Sequence, residues 1–374
     1  MTEHKIIFGD SRSLNQIKDK SVQLIITSPP YWQLKDYGTE DQIGFNDSYE
    51  EYINNLNLVW KECNRVLSDG CRLCINIGDQ FARSVYYGRY KVIPIRTEII
   101  RFCESLGMDY MGAIIWQKTT TMNTSGGGAI MGSFPYPRNG ILKMDYEFIL
   151  LFKKLGNAPK PTQQQKEQSA MTKEEWGQYF SSHWNFNGVK QMGHIAMFPE
   201  ELPKRLIKMF SFAGETVFDP FAGSGTTSLA AKNLGRNSIG YEINRDFEPI
   251  IREKLGADQL RLGDDAKVIF AEDEIGNISS FDQLPYIFSD PHRMDKKVDV
   301  KKLQFGSKID QSEEKRDELF GVKQVIASDK IELSNGLVVR LLGIKPNPLY
   351  QGQAISFLQE KFHKRKVFLK YDAV

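Results

Sequence analysis

Little in this chain invites redox or metal chemistry. Its four cysteines, Cys63, Cys71, Cys74 and Cys103, offer one CxxC spacing, and no second CxxC or histidine pair completes a zinc set. The pair sits in CRLCINI, which reads as a buried strand where free cysteine acts as a small hydrophobe. No apolar run approaches the roughly 18 residues that cross a bilayer. The start, Met1 to Phe8, is too short and polar for a secretory signal, so a cytoplasmic protein without a membrane partner is expected. Neither charge dominates: 49 Lys and Arg against 47 Asp and Glu leave +2. That excludes a uniformly basic, histone-like chain but leaves room for a local basic face. There is no Walker loop and no GxGxxG, so a dinucleotide pyrophosphate is not the obvious guest.

What is present is an ordinary globular composition over 374 residues, enough for two or three units. Short apolar β-branched runs alternate with helical patterns, which signals an α/β fold with a mostly parallel sheet. Expected strands are Lys5–Phe8, Val22–Thr27, Arg72–Ile77, Met111–Trp116, Asp145–Phe152, Thr216–Phe218 and Ser238–Tyr241. Expected helices are Tyr49–Leu67, Ile93–Ser105, Pro199–Phe210 and Thr226–Leu234. No helix fits between MDYMGAIIWQK and MDYEFILLFKK, so these two strands should be an antiparallel pair. Asn157–Gln178 is polar and reads as an inserted loop or small irregular lobe. No internal repeat is found.

Two segments carry chemistry. The first is Thr27-Ser28-Pro29-Pro30-Tyr31-Trp32, directly after the apolar strand VQLII. Consecutive prolines fix φ and remove two N–H donors, so the carbonyls of Ser28 and Pro29 point outward at a strand's carboxyl end. Ligands bind at that edge in open α/β sheets. A hydroxyl, a bare carbonyl and the Tyr31 ring suit a planar ligand bearing an NH₂ group, although a plain proline-rich turn has the same composition. The second segment is FDPFAGSGTT, Phe218 to Thr227, between a strand and a helix. Its glycines allow close backbone approach. The next strand ends in Gly240-Tyr241-Glu242, which places an acid for the two hydroxyls of a ribose. A glycine turn alone could be purely structural; turn and acid together point to a nucleoside-bearing cofactor.

With these motifs in place, Lys5 to Asn244 resembles the amino-methylating DNA methyltransferases that use S-adenosylmethionine. TSPPYW, CRLCINIGD, AIIWQK, HIAMFPEELPKRLI, FDPFAGSGTT and GYEIN carry the likeness. The catalytic motif precedes the cofactor motif, the circularly permuted order of the β group. The resemblance implies a Rossmann-like methyltransferase sheet over residues 1–289, with a recognition insertion at about 119–192. It implies Ser28, Pro29, Pro30 and Tyr31 as the catalytic group, and Asp10, Asp219, Pro220, Phe221, Gly223, Gly225, Thr226 and Glu242 around the cofactor. RLGDD at 261–265 competes with Asp10, and His194 is read as a packing residue rather than a base. Lys118, Arg138, Lys143, Lys153, Lys154 and Lys160 would sit in DNA-reading loops, where ordinary solvated charges are an equal alternative. The implied reaction is base flipping in double-stranded DNA followed by direct methyl transfer. No cysteine adjoins a proline, so C5 attack is excluded. Ser before Pro-Pro favours cytosine N4 over adenine N6. A restriction endonuclease for the same site is an implied partner.

Of the 29 residues from Asp290 to Glu318, eight are positive and eight negative, which suits a solvated linker over 290–320 rather than a basic tail. Residues 321–374 resemble part of a staphylococcal-nuclease-like OB fold, with Arg340 at the phosphate-binding position. The expected acids are replaced by Lys345 and Asn347–Pro348, which disfavours cleavage. A nuclease and a non-catalytic nucleic-acid-binding protein remain the rival readings.

Overall fold

The computed structural model describes residues 2–34, 39, 41–82, 87–89, 91–118, 135–136, 138, 140–142, 144–188, 198–258, 266–273, 278–291, 319–341, 344, 346–362 and 366–368. They divide into two compact units, one drawn from 1–132 and 141–303, the other from 133–140 and 304–374.

In the first unit the chain runs β1 (Glu3–Phe8), β2 (Val22–Thr27), α1 (Tyr49–Val66), β3 (Leu67–Ile77), β4 (Gln80–Ala82), β5 (Lys91–Ile93), α2 (Ile95–Ser105), β6 (Met108–Lys118) and β7 (Tyr146–Lys154). It continues as α3 (Gln163–Gln168), α4 (Lys173–Tyr179), β8 (His183–Phe186), α5 (Glu201–Phe210), β9 (Thr216–Asp219), α6 (Thr226–Asn233), β10 (Asn237–Glu242), α7 (Glu248–Leu255) and β11 (Lys267–Glu272). Among the described residues nine strands form one sheet, ordered β11-β1-β10-β9-β2-β3-β7-β6-β8, with β4 and β5 in a separate ribbon. Every pairing in that sheet is parallel except those of β7 with β3 and β6. The expected antiparallel pair is therefore present, with a register shift between Tyr110 and Ala113 where Gly112 adopts φ 99°.

Central strands such as β2 (VQLIIT) are nearly continuous apolar runs because both faces are covered. One face packs against α1 and α2 through Ile25, Leu73 and Ile75, the other against α5 and α6 through Leu24, Ile26 and Cys74. Helix α1 opens on a capping box: Ser48 Oγ accepts from Glu51 N, and the Glu51 carboxylate accepts from Ser48 N. The Asn54 side chain donates to Phe288 O and accepts from Phe288 N, both at 2.9 Å, so the chain stays docked on α1 beyond the last strand.

Several expectations need correction. Strands β8 and β11 lie outside the expected set. Asn157–Gln178 is not irregular: α3 and α4 lie within or across it, and each opens on a capping box, Thr162 with Gln165 and Thr172 with Glu175. This segment packs beneath α5, with Gln165 Nε2 donating to Ala213 O at 2.9 Å and Lys208 paired with Glu175. Ala213 precedes β9, which places the segment at the amino edge of the parallel strands. The range expected for a recognition insertion, 119–192, also contains the sheet strands β7 and β8. Lys153 and Lys154 end the reversed strand β7 at that same amino edge, in register with Arg72, Asp109 and Met108. The Lys154 ammonium donates to Asn64 O and, at 2.7 Å, to Leu67 O, tying down the end of α1. Lys143 and His194 lie outside the described residues, as does 261–265.

The second unit contains β12 (Leu319–Ala327), β13 (Lys330–Leu333), β14 (Val338–Arg340), α8 (Gln351–Phe362) and β15 (Lys366–Phe368). Its four strands are ordered β14-β13-β12-β15, with antiparallel pairings. Arg340 Nε donates to Asp329 Oδ2 at 2.8 Å, so the arginine expected to bind phosphate is ion-paired with the β12–β13 turn. Arg138 belongs to this unit rather than to the sheet domain.

Replacing Lys154 with Ala should lower stability by about 1–2 kcal/mol, because two carbonyls lose their donor. Urea denaturation measures this, and the salt dependence of DNA affinity should remain that of the parent chain.

Candidate functional site

The two chemistry-bearing segments meet at the carboxyl edge. Strand β2 leads into Thr27-Ser28-Pro29-Pro30-Tyr31, and its neighbour β9 leads into Asp219 and the glycine turn. Their junction is a hydrogen bond: Thr27 Oγ1 donates to Asp219 Oδ1 at 2.7 Å, across 192 positions of sequence. Thr227 Oγ1 donates to the other oxygen at 2.7 Å, and Phe221 N to the first at 3.0 Å. Asp219 is buried, and burial pushes its carboxyl up to about 6 against those three donors.

A cavity of about 700 Å³, counted with its open mouth, lies above this junction. Its lining brings Ser28 and Pro30 together with Asp10, Pro220, Phe221, Gly223 and Glu242, and adds Ser11, Gln42, Ile43 and Phe247. Pro29, Tyr31, Asp219, Gly225 and Thr226 are not among these wall residues; the last three stand behind the wall and shape it. Gly225 is the α6 N-cap at φ 78°, and Thr226 Oγ1 accepts from Lys254 Nζ at 3.1 Å. Gly240 is a close-approach glycine: a Cβ there would meet Ala222 Cβ at 2.9 Å. Asp10 is held by Arg12, whose guanidinium donates to both carboxylate oxygens, and Ser11 Oγ donates to Pro220 O. Glu242 accepts from Gly223 N at 2.7 Å and Asn244 N at 2.9 Å, while burial pushes it up to about 7.

On the amine-gripping side, Pro30 O is already taken by Tyr52 Oη at 2.8 Å. The Tyr31 hydroxyl accepts from Gly78 N at 2.7 Å and donates to Glu147 Oε1 at 3.1 Å. Burial and the Glu147 charge hold that phenol well above its usual range, so it stays neutral. Asn76 Nδ2 donates to Glu147 Oε2 at 2.7 Å and lies 3.5 Å from Ser28 Oγ. Lys118 Nζ pairs with Glu147 Oε1, which places this residue beside the SPPY wall with its charge already matched. Sequence reasoning missed Glu147, Asn76, Tyr52 and Arg12. A polar Asn inside the apolar strand CINI was the one legible signal.

The wall fits S-adenosylmethionine in its chemistry: Glu242 lines the cavity beside apolar partners in Phe221, Ile243 and Phe247. Comparison with known proteins agrees. Residues 22–253 match the DNA methylase family model of N6 and N4 methyltransferases. The chain is 39% identical over 300 residues to the type II methyltransferase M.MjaI of Methanocaldococcus jannaschii, covering 72% of this chain and 96% of the relative. It is 34% identical over 279 residues to M.MthZI of Methanothermobacter thermautotrophicus, covering 68% and 77%. The solved structure of a Thermus thermophilus protein, TTHA0409, described as a putative DNA modification methylase complexed with S-adenosyl-L-methionine, is 34% identical with a TM-score of 0.57, covering 71% of this chain and 98% of that one.

The chain belongs to the DNA methylase family. It is an S-adenosylmethionine-dependent DNA amino-methyltransferase, and among the described residues no helix is long and apolar enough to cross a membrane.

Two buried acids raised to about 6 and about 7 make a pH prediction. Above the unfolded carboxyl range the folded state holds more protons, so stability should fall as pH rises from about 4 to about 7. Cofactor affinity should move the other way, because ribose hydroxyls donate to the ionised Glu242. Calorimetric titration from about pH 6 to about pH 8 should show tightening with proton release, and Glu242→Gln should abolish that dependence.

Proposed function

We propose that the chain methylates the exocyclic N4 of cytosine at a specific sequence in double-stranded DNA, from the site built by Ser28, Pro29, Pro30 and Tyr31. The observation that carries this reading is the shared cavity, whose wall includes both Ser28 and the cofactor-side residues Phe221, Gly223 and Glu242. A base paired in a duplex hides its amine, so it must swing out against this edge. The amine's lone pair is delocalised into the ring and is a poor nucleophile. Donation of its hydrogens to the Pro29 carbonyl and Ser28 Oγ favours a pyramidal nitrogen and aims the lone pair across the cavity. S-adenosylmethionine supplies an electrophilic methyl on a sulfonium. Ser28 Oγ and the Pro29 carbonyl would hold the amine toward that methyl, and the amine's surplus proton would pass to solvent.

Tyr31 supplies an aromatic wall whose hydroxyl is pinned away from the base by Gly78 and Glu147. Asp10, Pro220, Phe221, Gly223 and Glu242 hold the cofactor directly, and Asp219, Gly225 and Thr226 set their backbone. A neutral Ser28 hydroxyl can accept from an amine and donate to the adjacent ring nitrogen of either base, so its chemistry permits both cytosine and adenine. The resemblance to Ser-Pro-Pro members is what favours cytosine. Strand β6 ends and β7 begins at the reacting edge, which supports sequence reading by the segment between them, with Lys143 as a contact. Relatives designated type II methyltransferases support a cognate restriction endonuclease as partner.

Duplex DNA incubated with labelled cofactor and digested to nucleosides should yield N4-methyldeoxycytidine. Ser28→Ala should reduce turnover by on the order of a hundredfold with little change in cofactor affinity. N6-methyldeoxyadenosine would overturn the base assignment, and label found in RNA or protein alone would overturn the substrate class.

A further inference from the structure

We propose that Glu147 is the positioning residue of the amine pocket: it locks the Tyr31 ring and the Asn76 amide together, with Lys118 as its dedicated counter-charge. This rests on the proposed reaction but assigns parts that the reaction alone does not.

Three groups converge on one carboxylate. Oε1 accepts from the Tyr31 hydroxyl at 3.1 Å and from Lys118 Nζ, and Oε2 accepts from Asn76 Nδ2 at 2.7 Å. The carboxylate side chain is 12% exposed, so these bonds are made in a largely dry setting. A carboxylate only accepts, which forces the amide nitrogen of Asn76 toward Glu147 and fixes the orientation of the whole amide. Asn76 Oδ1 is then a buried acceptor with no partner among the described residues, on a side chain 3% exposed whose Nδ2 is 3.5 Å from Ser28 Oγ. A buried acceptor left open costs free energy that a ligand's N–H would recover. Gly78 serves the same arrangement, since a Cβ there would meet the Tyr31 hydroxyl at 3.0 Å and Glu147 Cγ at 3.4 Å.

Lys118 is reassigned by the same geometry. It ends β6 at the reacting edge and is spent on Glu147 rather than offered to a phosphate. With Lys118 present, Glu147 stays an acceptor for both neighbours at once. A glutamine cannot do this, because its NH₂ would face either Asn76 or Tyr31. If it faced Asn76, that amide would flip and turn its open acceptor into a donor.

The test compares wild type with Glu147→Gln, Glu147→Ala, Tyr31→Phe, Lys118→Gln and the Tyr31→Phe/Glu147→Gln double variant. It reads kcat, KM for duplex DNA, cofactor affinity and thermal midpoint. Glu147 lies outside the cofactor wall, so cofactor affinity and folding should hold in Glu147→Gln while kcat falls by roughly tenfold to a hundredfold, the scale of a misplaced reacting geometry. The double variant should lose less than the product of the two single losses, because both break the same contact. Lys118→Gln should lower kcat while leaving the salt slope of DNA binding unchanged. Should Glu147→Ala fail to fold, the volume-conserving Gln variant decides. Wild-type kcat in Glu147→Gln, a parallel loss of cofactor affinity, fully multiplicative losses, or a reduced salt slope in Lys118→Gln would each overturn the proposal. A wild-type protein that methylates no amine in DNA would sink the reaction itself, and this assignment with it; an active wild type beside indifferent Glu147 variants sinks only the assignment.

Discussion

A single buried carboxylate joins the two working segments. Asp219 receives hydroxyls from Thr27 on β2 and Thr227 on α6, and an amide from Phe221. Burying an acid this deeply is costly unless every lone pair finds a donor. Here the donors come from both the amine-gripping strand and the cofactor turn, so solvating the charge and registering the two walls are the same event. β2 and β9 are already adjacent, with Leu24 opposite Val217 and Ile25 opposite Phe218. The Asp219 bonds extend that register past the ends of the strands, to the mouth of the cavity that Ser28 and Glu242 both line.

The edge at which this happens is fixed by strand direction. Parallel strands present their carboxyl ends together, so β2, β3, β6, β9 and β10 deliver Thr27, Ile77, Lys118, Asp219 and Glu242 to one side. The reversed strand β7 does the opposite: its first residues reach that side and its last ones leave it. Glu147, second in β7, therefore enters the site, while Lys153 and Lys154, eighth and ninth, stand at the far edge. One reversal converts a strand that would have brought two lysines to the site into one that brings a carboxylate.

That reversal explains what can and cannot be read in advance. The two motifs, the parallel strands and the antiparallel pair are legible because each is local: proline pairs, glycine turns, apolar runs and the want of a helix between two strands. The expectation for Lys153 and Lys154 fails because nearness in sequence to a loop is not nearness to the reacting edge; strand direction decides which end arrives there. The expectation for Asn157–Gln178 fails for another reason. Its composition is polar, but Thr-x-x-Gln and Thr-x-x-Glu are helix starts whatever surrounds them. Asn76 and Glu147 become functional only through cross-strand neighbours, with Asn76 opposite Ile149 and Ile77 opposite Phe148 in the β3–β7 register. No property of either residue alone announces the pair.

Helix α1 links both walls from beneath. Tyr52 donates to Pro30 O, which fixes the SPPY turn against the helix. Three positions further along the helix, Asn55 accepts from Arg12, the same guanidinium that grips Asp10 in the cavity wall. Asn54 holds the backbone of Phe288 against the helix. Three polar side chains in four positions would be expensive in a buried helix if they served packing alone. Their partners are instead the Pro30 carbonyl, the arginine that grips Asp10 and the segment that covers the helix. The buried polarity of α1 thus ties the SPPY turn, the Asp10 side of the cavity and the chain beyond the last strand to one scaffold.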